Sequence, residues 1–151
     1  MSARISVHGL TIALALLAGA LRPQTVEAGD VASGDLAVVV SARNPLDSLS
    51  QAELTAIFLG RATHFPNGRP AVPVDQRQGA AREAFYAAYL GRTPAQMKSH
   101  WSKILFTGRG SPPREVAGSA EVRALVARDP TAIGYLERQL AGPDVKILRI
   151  E

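Results

Sequence analysis

LAVVVSARNPLDSLSQAELTAIFLGR, residues 36–61, sets the architecture. Its first five residues, Leu36 to Val40, are all apolar and include three valines. They lack the polar alternation of a half-solvated strand and predict a strand covered on both faces. Asn44-Pro45 ends that strand, because the residue before a proline is pushed out of helical space. A helix follows within 49–61. Ser50 and Glu53 stand at capping-box spacing, each side chain placed to satisfy a backbone N–H near the other. Leu54, Ile57 and Phe58 fall on one helical face, and Gly60 suits a left-handed stop. A doubly covered strand feeding an amphipathic helix predicts a layered α/β structure.

Downstream, the same alternation continues. Pro66-Asn67-Gly68 is a turn signal. Ala71–Val74 reads as a second strand, and Pro73, which has no N–H to donate, predicts an edge or irregular position for it. Ala80–Leu90 reads as a second helix with Ala81, Ala84, Phe85 and Ala88 inward and Gly91 closing it. Thr93-Pro94 opens a third helix as cap and first residue, with Met97, Trp101, Ile104 and Leu105 as its apolar stripe. TGRGSPP, residues 107–113, is a loop rich in breakers. Ser119, Val122, Leu125 and Val126 mark a fourth helix, stopped by Asp129-Pro130. Ile133–Tyr135 and Val145–Leu148 read as closing strands. Without internal repeat or linker, the expectation is one domain, a mixed sheet flanked by helices.

The chain has 151 residues, 46% of them apolar, which excludes a wholly disordered protein. It has no cysteine, so disulfide scaffolds, thiolate zinc sites and cysteine nucleophiles are excluded. The net charge is +4, carried mainly by arginine, a balance compatible with contact to an anion or an acidic surface. Arg4 and His8 precede an apolar run from Leu10 to Leu21, too short to cross a bilayer and followed by small residues. Residues 1–28 therefore read as a secretory signal peptide, with an uncleaved anchor as the alternative. Cleavage after Ala20 or after Ala28 satisfies the small-x-small rule, and the polar stretch Arg22–Glu27 favours Ala28. The working domain is then 29–151, periplasmic or secreted, with no stable membrane insertion once the signal is removed.

Candidate chemistry concentrates at the start of the second helix. The amides of Gly79, Ala80 and Ala81 precede the first intrahelical hydrogen bonds, and a helix N-terminus carries partial positive charge. Small residues let an anion approach, and Arg77 and Arg82 add charge-assisted donors. Asp75 opposes an anion if it faces the same point. An ordinary helix start with a solvated arginine is the alternative. Elsewhere, His64 lies in a turn and His100 flanks Trp101, which reads as a packing residue. Two histidines far apart make no metal ligand set. No G-x-S-x-G elbow is present, and Gly108-Arg109-Gly110 lacks a P-loop ending. No catalytic residue, metal or cofactor is expected. Arg61, Arg69, Arg109 and Arg114 form a basic rim if they converge. No aromatic–basic interleaving points to nucleic acid.

Four pieces in order resemble the phosphate-binding proteins of bacterial ABC importers, PstS-like proteins of the type II periplasmic binding fold. They are LAVVVSARNPLDSLS (36–50), LTAIFLGR (54–61), VPVDQRQGAAREAF (72–85) and DPTAIGYL (129–136). The resemblance implies one lobe of that fold, since a full member has two lobes and about twice this length. It implies phosphate, or another inorganic anion, as ligand. The family's ligand loop, arginine-x-x-glycine-serine-glycine-threonine, is not kept. With Arg82-Glu83-Ala84-Phe85 as anchor, its arginine falls on Asp75, its serine on Gly79 and its threonine on Ala81. The expected function is an exported, non-enzymatic solute-binding-like domain. The alternative is a periplasmic interaction or accessory module, held by an envelope protein partner, that kept the scaffold and lost the ligand.

Overall fold

The structure, a computed structural model, describes residues 35–151; the expected signal peptide lies outside the described residues. The elements in chain order are β1 (Leu36–Ser41), β2 (Ser48–Leu49), α1 (Gln51–Phe58), β3 (Val72–Gln76), α2 (Ala80–Phe85), α3 (Pro94–Phe106), β4 (Arg114–Val116), α4 (Ser119–Arg128), β5 (Ala132–Glu137), β6 (Val145–Ile147) and β7 (Arg149–Ile150). Five strands form a mixed sheet in the order β4-β3-β5-β1-β6, and β2 pairs with β7 separately. β3 runs parallel to β4 and β5, whereas β1 is antiparallel to β5 and β6.

Every residue of β1 is buried, because helices cover the sheet on both faces. Leu36, Val38 and Val40 join a core with Leu54, Ile57 and Phe58 of α1 and with Phe85, Met97 and Trp101. The alternate residues Ala37 and Val39 join a second core with Val122, Leu125 and Val126 of α4. The period of two along the strand thus divides one apolar run between two layers. β5 splits the same way, with Ile133 and Tyr135 on the first face and Ala132 and Leu136 on the second. The mixed α/β sheet flanked by helices is the class expected from the sequence.

Caps set the helix boundaries. Ser50 and Glu53 complete the capping box of α1 reciprocally. Thr93 and Gln96 do the same for α3, with Pro94 in its first turn. Gly60 and Gly91 take the left-handed conformation at φ +70° and +59°, where a Cβ costs energy.

Four details depart from the sequence expectation. The helix expected across Ala80–Leu90 is α-helical only to Phe85. Tyr86–Leu90 winds as a π-turn, carrying Tyr86 and Leu90 into the core. β3 is an inner strand, not an edge. Val72 donates its N–H to Thr131 on the β5 side, so the nitrogen of Pro73 faces the other way, where pairing with β4 begins only at Val74. The missing donor therefore breaks no ladder bond. β4, a short strand with exposed Arg114 and Glu115, gave no apolar signal. Leu105, expected in the buried stripe of α3, is 54% exposed, and Phe106 beside it is 93% exposed.

Candidate functional site

β3 delivers Asp75 and Gln76 to the end of the sheet, and Arg77 and Gln78 lead into α2. Asp75 is 3% exposed. Its Oδ1 accepts the Gln76 N–H at 2.8 Å and the Tyr135 hydroxyl at 2.5 Å; its Oδ2 accepts the Tyr86 hydroxyl. The Gln76 side chain donates to Ser119 Oγ at 2.9 Å and to the Tyr135 carbonyl at 3.1 Å. Three hydroxyl or amide donors thus converge on one carboxylate, which is how a buried acid is kept inside. Burial, and then the charge of Asp75, push both phenols well above the ordinary tyrosine range.

Gly79 precedes α2 at φ +116°, ψ +168°, a region open essentially to glycine. The first bonds of α2 run from the N–H groups of Arg82 and Glu83 to the Gly79 carbonyl, at 3.1 and 3.3 Å. Gly79, Ala80 and Ala81 therefore open a helix, as the sequence predicts, with Gly79 exposed, Ala80 half-buried and Ala81 buried. Arg77 is exposed, and its backbone extends the sheet by donating to the Val116 carbonyl at 2.9 Å.

Arg82 folds back over this junction. Its Nε donates to the Tyr86 hydroxyl at 2.9 Å and its Nη1 to the Arg77 carbonyl at 2.8 Å. Its Nη2 lies 3.6 Å from Glu115, and its Nε 3.9 Å from Asp75. The π-turn contributes here, because Tyr86 opens it and stands one helical turn beyond Arg82.

A cleft of about 500 Å³ opens beside the junction, with Asp75, Arg82, Tyr86 and Glu115 on its polar side and α3 and the Pro112-Pro113 segment opposite. Of the five sequence-predicted residues, Arg82 alone lines it. Gly79, Ala80, Ala81 and Arg77 stand at the adjoining helix start and are not among its lining residues. A second hollow, about 600 Å³, lies against another face of α3, from Leu90 and Arg92 to His100 and Lys103. It contains neither an acid nor any residue of the β3–α2 junction.

The sequence singled out Asp75 as an intruder among donors but did not place the two tyrosines against it. The spacing of Arg82 and Tyr86 was the one local signal; Tyr135 is 60 residues from Asp75 and comes within reach only through the sheet. His64 lies not in the turn but beside it, in an isolated antiparallel bridge with Pro70 and against the Thr63 hydroxyl, and His100 bonds the Leu59 carbonyl at 2.9 Å. Among the described residues no group of three or more potential ligands gathers for a metal, and no helix is long and apolar enough to cross a membrane.

No protein-family model matches the sequence, and a comparison with curated proteins found no relative. Solved structures do match. A protein assigned as a phosphate ABC transporter substrate-binding protein from Clostridium perfringens, with phosphate bound, superposes at TM-score 0.62 and 20% identity, over 77% of this chain and 44% of that one. An ABC-type phosphate transport receptor from Vibrio cholerae gives 0.60 and 19%, over 77% and 46%. PstS from Borrelia burgdorferi gives 0.60 and 13%, over 78% and 47%. The chain spans under half the length of each. At these identities the likeness is one of fold: this chain is built like one lobe of a PstS-like periplasmic binding protein.

Proposed function

We propose that this protein is an exported, non-enzymatic solute-binding-like domain, related to the phosphate-binding proteins of ABC importers and working in the periplasm or outside the cell. Its default ligand is an inorganic anion, phosphate first. The observation that carries this reading is the β3–α2 junction. On a fold shared with phosphate receptors, a glycine-opened helix start (Gly79, Ala80, Ala81) stands between Arg77 and Arg82, beside an open cleft. Capture uses peptide N–H groups and a guanidinium, with no bond made or broken.

The second reading is an accessory module that kept the scaffold and lost the ligand, binding an envelope protein instead. The engagement of Arg82 with Tyr86, the Arg77 carbonyl and Glu115 favours it, as does a carboxylate where the resembling family places an arginine.

Calorimetric titration with phosphate and sulfate decides between them. Saturable heat, weakened by Arg82→Ala or Arg77→Ala, supports capture at the helix start. The absence of heat at millimolar anion, with a stable partner recovered by crosslinking in the envelope, supports the accessory module.

A further inference from the structure

The cleft is larger and more apolar than an inorganic oxyanion requires. Its volume of about 500 Å³ falls among sites for small organic molecules, roughly 300–1,000 Å³. One wall is apolar: buried Met97 and Trp101, half-exposed Leu105, and the Pro112-Pro113 pair.

The hydrogen-bonding inventory of the lining is lopsided. Its one buried carboxylate is already engaged. Asp75 accepts from Gln76, Tyr135 and Tyr86, and Glu115 faces Arg82. Its donors are not all engaged. Lys98 makes no ion pair among the described residues. Arg82 commits Nε and Nη1 to its own chain, while its Nη2 stands at ion-pair distance from Glu115. Lys98 is thus the lining cation without an ionic partner among the described residues, and a ligand matching it and the apolar wall brings a negatively charged acceptor and an apolar body.

We propose that the cleft binds a small organic monocarboxylate with an apolar body. Its carboxylate is taken by Lys98 and Arg82, and its body lies against Trp101, Leu105 and Pro112. The proposal rests on the solute-binding reading. It exchanges an inorganic anion at the helix start for an organic one in the neighbouring cleft, with Arg82 common to both.

Trp101 is the only tryptophan of the chain and lines the cleft, so its fluorescence reports occupancy. The purified full chain is titrated with phenylbutyrate, with the uncharged phenylbutyramide, and with inorganic phosphate. Phenylbutyrate is expected to change Trp101 emission saturably. The amide binds at least about tenfold more weakly, because a charge-assisted hydrogen bond is lost. Lys98→Ala and Leu105→Asp, both at exposed positions, are each expected to weaken phenylbutyrate by roughly tenfold. Equal affinity for acid and amide, or unchanged affinity in Lys98→Ala, overturns the proposal. Phosphate heat by calorimetry without phenylbutyrate binding overturns it while leaving the solute-binding reading intact. Failure of both ligands overturns both.

Discussion

The Tyr135 hydroxyl donates to Asp75 Oδ1 at 2.5 Å and continues, through side chains, a strand pairing whose backbone ladder stops at Pro73 and Ile133. Beyond that point, Gln76 reaches the Tyr135 carbonyl with its side-chain amide. The end of the sheet beside the cleft is therefore held by a polar lattice around one acid. Removing one member leaves the others buried and short of a partner.

Tyr135→Phe tests that lattice with little change of shape, because the ring stays stacked on Phe85 at 3.9 Å and 4°. Loss of a hydrogen bond to a charged group is expected to cost about 1.5–3 kcal/mol, read as a lower urea midpoint at unchanged slope. Asp75→Asn also destabilises. The double variant is expected to lose less than the sum of the two, since both delete the same contact.

Alkaline pH is expected to unfold the protein through the same residues. Tyr86 and Tyr135 are pushed above the ordinary tyrosine range by burial first and by Asp75 second. In the unfolded chain a phenol ionises near about pH 10. The folded state then holds protons that the unfolded state has released. Stability from this source is full below about pH 10 and is lost as pH rises beyond it. Urea midpoints should stay level from neutral pH to about pH 9 and then fall. Tyrosinate absorbance of these two residues should appear together with unfolding. In Tyr86→Phe/Tyr135→Phe the alkaline fall is shallower.

On the acid side, Asp129 is held below its ordinary 3.8, first by the Thr131 hydroxyl and then by the Thr131 N–H. A depressed carboxyl contributes stability that is present above its unfolded value and is lost as pH falls through the folded one. Thr131→Ala should therefore flatten the decline in thermal midpoint below about pH 4 relative to the parent.

Gly134 lets α4 lie flush on the sheet. A Cβ there would stand 2.6 Å from Val122 Cγ1, and 3.6 Å from the Val74 carbonyl. Gly134→Ala is expected to cost about 1–3 kcal/mol by overpacking. Val122→Ala in the same chain should recover part of the loss, a coupling read directly from a double-mutant cycle by chemical denaturation.

Gly60 and Gly91 make a matched pair. Both sit at positive φ, but a Cβ at Gly60 meets the Trp101 ring at 2.6 Å, whereas one at Gly91 meets nothing within 4 Å. Gly91→Ala should cost only the left-handed penalty, about 1–2 kcal/mol. Gly60→Ala should cost more and also shift Trp101 emission, which Gly91→Ala leaves in place.

The parts of the fold that the sequence revealed are those encoded by near neighbours. Ser50 with Glu53, Thr93 with Pro94, and the continuous run Leu36–Val40 each announce an element within a few residues. The π-turn was not legible, because the alanines at 84 and 88 continue an α-helical spacing while the chain slips by one residue at Tyr86. β4 was hidden by its brevity and by two exposed charges. At the candidate site, the glycine-opened helix was legible from Gln78 to Arg82. The role of Asp75 was not. The sequence places it among arginines, where it reads as repulsion, and only the pairing of β3 with β5 supplies the hydroxyl that makes it a structural anchor.

Among the described residues β1 pairs only with β5 and β6, both encoded beyond residue 131. A nascent chain leaving the ribosome therefore carries the valine-rich segment Leu36–Val40 without a mate until β5 and β6 have followed it. Such non-local pairing slows folding and prolongs exposure to aggregation. A holding chaperone that shields this valine-rich stretch should consequently raise the yield of native protein, more than it would for a domain whose first strand closes on its immediate successor.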